Sequence, residues 1–190
     1  MGYSLSWLAT SAPAQATRDL LGLRPTGTQA ELPTVPFAGA ALSIGWYLVV
    51  AGTCDAPLIA ARTLASLSAQ ADVVACAVEE HVMFSRACAW SKGAEVWSVT
   101  HDAQRTRNHL ETSGALPAFF AELRDGILSP AAADDDEADV DYVFDVPLLL
   151  AQRVTGFKHD ADGEPTRFDV LELRDGSILA PAKPWWRFWS

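Results

Sequence analysis

No run of about 18 uncharged apolar residues occurs in the chain, and a helix that crosses a bilayer needs at least that length. A membrane-spanning helix is therefore not expected. The opening stretch MGYSLSWLATSAPAQ has no basic residue ahead of its short apolar run, which argues against a secretory leader. Met1-Gly2 with Ser6 loosely fits an acylation pattern that is common by chance, and it is discounted. Cysteine is scarce. Cys54, Cys76 and Cys88 are odd in number and lack CxxC spacing, so free buried thiols in a reducing cytoplasm are the expectation. Basic residues are also short, with 14 Lys+Arg against 24 Asp+Glu and a net charge of −10. Phosphate contact needs a basic face, so direct nucleic-acid binding is not expected. The chain has no GxSxG elbow, P-loop or GxGxxG, and no cofactor is expected.

What is present belongs to a folded protein. Apolar residues make up 49% of the 190 and seven are tryptophan, which is enough apolar area to offset the ordering entropy of one α+β domain over residues 1–190. The charge is concentrated. Residues 111–150 hold 1 basic and 10 acidic side chains, a net of −9, while the rest of the chain nearly balances. Within AAADDDEADVDY, Asp134, Asp135, Asp136, Glu137, Asp139 and Asp141 fall within eight residues. A solvated, extended loop over about 130–141 is one reading of this run, because like charges repel. An acidic patch that steers a basic protein partner is the other. A calcium loop lacks its turn glycine here.

Proline and glycine punctuate the helices. Ser11-Ala12-Pro13, Asp55-Ala56-Pro57 and Asp145-Val146-Pro147 each place a capping side chain ahead of a first-turn proline, and Gly22 and Gly156 fit left-handed stops. Leu116–Leu128 repeats apolar residues at helical spacing, for four helices in all. Strands are expected over Tyr3–Ala9, Trp46–Ala51, Val73–Trp90, Ala94–His101 and a C-terminal meander with Asp-Gly turns. The fold class is a mainly antiparallel α+β sheet with about four helices packed on one face. Aligning Pro13 with Pro57 also matches Tyr3 to Tyr47 and Arg18 to Arg62, which raises two related β-α-β-β units.

The stretch EEHVMFSRACAW, Glu79 to Trp90, puts carboxylates, an imidazole, a guanidinium and a thiol on one expected strand. Its reach depends on the turn at Ser91-Lys92-Gly93. A three-residue loop is favoured because Lys-Gly is a poor two-residue turn; it makes Met83 face His101, with His81 on the same face. A two-residue loop separates the imidazoles. Under the first register Glu79, Glu80, His81, His101 and Asp102 form the alternative catalytic set, a metal-dependent or acid-base site, although no HExxH spacing supports a metal. Ordinary strand side chains are the simpler reading. Cys88 sits among Val82, Phe84 and Trp90, which favours a core position over a nucleophile.

The tail KPWWRFWS, residues 183–190, ends in Trp185, Trp186, Phe188 and Trp189. Four aromatics at a chain end are covered by the chain's own sheet, by a protein partner, or by a second copy in a homo-oligomer. A membrane surface ranks below these, because two cations beside a strongly acidic chain attract anionic lipid weakly. The segments GWYLVV, VVACAVEEHVMFS, VWSVTHD and VDYVFDVPLLLAQRVTGFKHD, between Gly45 and Asp160, resemble an uncharacterised family of bacterial cytoplasmic proteins. That resemblance implies a bacterial origin and a single-domain fold, with no activity, cofactor or site residue attached. Non-enzymatic protein binding is the favoured function, an immunity-type protein that neutralises a basic toxin being its concrete form. Its partner-binding set is Asp134, Asp135, Asp136, Glu137, Asp139, Trp185, Trp186, Phe188 and Trp189.

Overall fold

The computed structural model describes residues 2–31, 35–129, 141–161, 165 and 167–180. Along them run β1 (Ser4–Thr10), α1 (Ala14–Leu21), β2 (Leu23–Ala30), β3 (Phe37–Ala41), β4 (Tyr47–Ala51), α2 (Ala61–Ser68) and β5 (Val73–Glu79). β6 (Phe84–Ser91), β7 (Ala94–Asp102), β8 (Glu111–Gly114), α3 (Phe120–Ile127), α4 (Tyr142–Thr155) and β9 (Phe168–Leu173) follow. Every strand joins one antiparallel sheet, in the order β2-β9-β3-β4-β1-β5-β6-β7-β8. The fold class is α+β, as the sequence implies.

Helices cover both faces of the sheet, not one. Leu5, Trp7, Leu48, Val50, Cys76 and Val78 pack under α3 and α4 with Phe120, Phe144, Leu148 and Phe157. Leu8, Val49, Val73 and Ala75, on the opposite side of the same strands, pack under α1 and α2 with Leu21, Leu64 and Leu67. Alternate residues of a strand face opposite ways, so a strand buried on both sides carries few polar positions. The unbroken apolar runs YLVVA and VVACAV are the sequence trace of that second layer.

The two β-α-β-β successions occur, but they enter the sheet differently. β1 and β4 pair side by side, whereas β5 pairs directly with β1 and β2 lies at the sheet edge beyond β9. The helix stops at Gly22 and Gly156 are left-handed, with φ of 67° and 78°. The starts differ from expectation: neither α1 nor α2 has a side-chain cap, and Pro57 opens a short 3-10 turn ahead of α2. α4 is capped by Asp141, and Pro147 falls inside it. Pro147 therefore gives up one hydrogen bond within the helix. Of the expected C-terminal meander the described residues show β9 and the Arg174–Ser177 turn, with Gly176 at φ 79°, while residues 162–164 of the first Asp-Gly turn lie outside them.

One close approach fixes the β3–β4 pairing. A Cβ on Gly39 would fall on the Tyr47 hydroxyl, with Tyr47 Cζ at 2.9 Å and Leu171 Cδ1 at 3.0 Å. The Tyr47 hydroxyl is itself held, accepting from Arg18 Nη1 at 3.3 Å. Gly39→Ala is expected to lower stability by about 1–3 kcal/mol through overpacking. Urea unfolding measures this, and an unchanged midpoint would contradict the packing of Tyr47 against β3.

Candidate functional site

Ser4, Glu79, Phe84 and Asp102 stand in line across β1, β5, β6 and β7, so one end of the sheet collects the polar residues of EEHVMFSRACAW. Val73–Trp90 is not a single strand. Glu80–Val82 forms a 3-10 turn and Met83 takes φ 50°, which reverses the chain so that β5 pairs with β6. Neither glycine nor proline marks this turn, which is why it reads as strand.

The next hairpin turns through two residues. Lys92 and Gly93 both have positive φ, 53° and 78°, and Ser91 faces Ala94. Trp90 faces Glu95, and an extra residue on β7, Val96, then shifts the register so that Ala89 faces Trp97 and Ser85 faces His101. This corrects the three-residue loop that placed Met83 opposite His101. A lysine in the left-handed region costs about 1–2 kcal/mol relative to a residue that enters it freely. Lys92→Gly should recover about half of that or more, measured as a higher unfolding midpoint; a lower midpoint would contradict the two-residue turn.

The five residues of the alternative catalytic set do not form one site. His81 is exposed on its turn, and its Nδ1 lies 2.7 Å from Glu79 Oε1. Hydrogen bonds from Ser4 and then His81 hold the Glu79 carboxyl below its ordinary value, which weakens it as a base. Glu80 Oε2 accepts from the Tyr3 N–H at 2.8 Å. Asp102 Oδ1 accepts from the Gln104 N–H at 3.1 Å. Glu79 and Asp102 are separated by two strand spacings, about 10 Å. Among the described residues no three His, Cys, Asp or Glu side chains are grouped to hold a metal ion.

His101 is fully buried and engaged on both sides. Its Nδ1–H donates to the His109 carbonyl at 2.7 Å, and its Nε2 lies 3.0 Å from Asp141 Oδ2. Ser85, opposite His101 in the sheet, completes a serine, histidine and aspartate set that sequence reasoning missed, since 56 positions separate its ends. The set is not wired for acyl transfer. Ser85 donates its hydroxyl to the Phe144 carbonyl at 2.7 Å, no ring nitrogen of His101 is left to take that proton, and Ser85 and His101 have no exposed surface. Asp141 does structural work instead. Its Oδ1 accepts from the Val143 and Phe144 N–H groups, capping α4, while its Oδ2 holds β7.

A second buried imidazole lies at the same sheet end. His159 packs edge-on against Tyr3 at 5.1 Å, with Nε2 3.4 Å from Glu80 Oε1 and Nδ1 3.9 Å from Asp160 Oδ1. Burial lowers its pKa, outweighing Asp160 and Glu80, which favour the charged ring, while Lys158 adds to the lowering. A depressed histidine contributes stability that is present above its unfolded value of about 6.5 and lost as the pH falls through its folded value. His159→Asn should flatten the stability slope below about pH 6.5, which for one proton is at most about 1.4 kcal/mol per pH unit. Urea titrations at two pH values read it, and an unchanged slope would place the acid sensitivity elsewhere.

The thiols are unreactive by environment. Burial, with Glu79 and Asp55 beside it, pushes the Cys54 thiol to about 11; burial likewise pushes Cys88 to about 11. Neither supplies thiolate near neutral pH. Asp134, Asp135, Asp136, Glu137 and Asp139, and Trp185, Trp186, Phe188 and Trp189, lie outside the described residues. What is described is where the acidic run starts and returns. Ile127, Leu128 and Ser129 line the same small cleft as Asp141, Tyr142 and Val143, so both ends leave one surface. Comparison with protein-family models, curated proteins and solved structures returned no match. The functional reading therefore rests on this chain's own residues.

Proposed function

We propose that this protein is a non-enzymatic binding protein that receives a basic protein partner on its acidic segment, residues 134–139. The observation that carries the reading is the concentration of charge: residues 111–150 hold a net −9 of the chain's −10, and five carboxylates stand within six positions. Ser129 and Asp141, the described residues on either side of the segment, line one cleft. Asp141 stands apart from that charge set, because both of its oxygens are committed to His101 and the α4 cap.

An immunity-type bacterial protein that neutralises a basic toxin in the cytoplasm is the concrete form. Opposite charge gives such a pair the fast encounter that neutralisation requires. The aromatic tail supplies the second contact, since Trp and Arg concentrate interface energy. Calorimetric titration tests the proposal, using the basic protein that the wild type retains at low salt. The variant carrying Asp134→Asn, Asp135→Asn, Asp136→Asn and Glu137→Gln is expected to bind at least ten-fold more weakly. Equal affinity, or no basic protein retained, overturns it.

A further inference from the structure

At the Ser4 end of the sheet, where β1 begins and β4 ends, a cleft of about 500 Å³ opens between β3 and the 3-10 turn at Pro57. Tyr3, Val35, Phe37, Ala51, Ala56 and Pro57 give it an apolar lining. Clefts that hold a ligand measure about 300–1,000 Å³, so this one is large enough to receive a bulky group. The charge-based reading makes no use of it.

The path of the chain ties this cleft to residues 181–190. Leu179, one position before the last described residue, belongs to the same apolar cluster as Phe37, Ala51 and Ala56, three of the cleft's walls. Ser177 Oγ donates to the Leu21 carbonyl at 2.6 Å, which fixes the exit of the chain beside the start of β2. Only β9 separates β2 from β3, so these strands lie two spacings apart, roughly 10 Å. From Ala180 the chain reaches Trp185 in five steps of up to about 3.6 Å, roughly 18 Å in all. That span is sufficient.

Composition supplies the driving force. Trp185, Trp186, Phe188 and Trp189 fall within five positions, and each aromatic side chain removes about 150–250 Å² from water when it is buried. Left uncovered, they would form an apolar patch larger than folded monomers ordinarily expose. The lining also suits an indole, because Ser4 and Thr53 bring hydroxyl oxygens that accept its N–H.

We propose that the cleft is the docking site of this chain's own segment 181–190, with the Trp185–Trp186 pair closing it, one indole within and the other across the mouth. About 150 Å³ holds one benzene ring, so the cleft takes about three rings and not all four aromatic side chains. Phe188 and Trp189, farther along, stay available to a partner. The docking involves neither the acidic segment nor a partner, and its test is independent of both.

That test is nuclear Overhauser NMR on the full-length protein with isotope-labelled alanine methyl groups and no other protein present. Cross-peaks are expected from the indole rings of Trp185 or Trp186 to the methyl groups of Ala51 and Ala56. They should be lost in the variant Trp185→Ala with Trp186→Ala and kept in Phe188→Ala with Trp189→Ala. No such cross-peaks in the wild type, their persistence in the first variant, or their loss in the second overturns the proposal. Cross-peaks found only between labelled and unlabelled copies in a mixed sample also overturn it, and would assign the cleft to a second copy of the chain.

Discussion

Asp141→Ala is expected to lower the free energy of unfolding by about 1–3 kcal/mol, the cost of leaving a buried polar group without its hydrogen-bond partner. Burial sets the size of this loss. His101 has no exposed side-chain surface and Asp141 only 9%, so the imidazole loses a partner that sits almost wholly out of water. The same carboxylate accepts the Val143 and Phe144 N–H groups, and an uncapped helix start costs about 1 kcal/mol by itself. Asp141→Asn separates the two effects, since asparagine caps nearly as well and carries no charge. A double-mutant cycle with His101→Ala should show a coupling above about 0.5 kcal/mol, which is expected of residues in contact. Additive losses would mean that the 3.0 Å contact contributes little.

Neutralising Asp134, Asp135, Asp136 and Glu137 is expected to slow association with a basic partner by about 10-fold or more at low salt. The effect belongs to the on-rate. Clustered like charges accelerate encounter over roughly a Debye length, about 10 Å at 0.1 M salt, and contribute less to holding the complex together. The wild-type on-rate should therefore fall steeply between low and physiological ionic strength, while that of the variant changes little. Stopped-flow fluorescence measures both slopes. Parallel slopes would remove the steering role from this segment, whatever the affinity. Asp141→Asn is a useful control, because it lies next to the segment yet is expected to leave the salt slope nearly unchanged.

The sequence made local features legible and hid the long-range ones. β1, β4 and the glycine stops of α1 and α4 can be read because a short apolar run and a left-handed C-cap are encoded within a few residues. The insertion of β9 between β2 and β3 cannot, since Leu23 pairs with Leu173 across most of the chain and no local signal marks it. Three misreadings share one physical cause, an ordinary residue in an unusual backbone role. Met83 and Lys92 adopt positive φ without being glycine, and Pro147 sits within a helix that it was expected to open. The alternative catalytic set is divided by the same turn. Glu79, Glu80 and His81 are adjacent in sequence, yet the turn pairs His81 with Glu79 and sends Glu80 to the Tyr3 N–H and His159. The Asp141–His101 pair, by contrast, joins residues 40 positions apart, and only the packing of α4 on the sheet brings it together.

Amide hydrogen exchange of the protein with and without its basic partner tests the central claim most directly. New protection is expected over residues 130–141 and their flanks in α3 and α4, diminishing as salt is raised. Protection centred on residues 79–102, with the acidic segment unchanged, would contradict it and return attention to the hairpin end of the sheet.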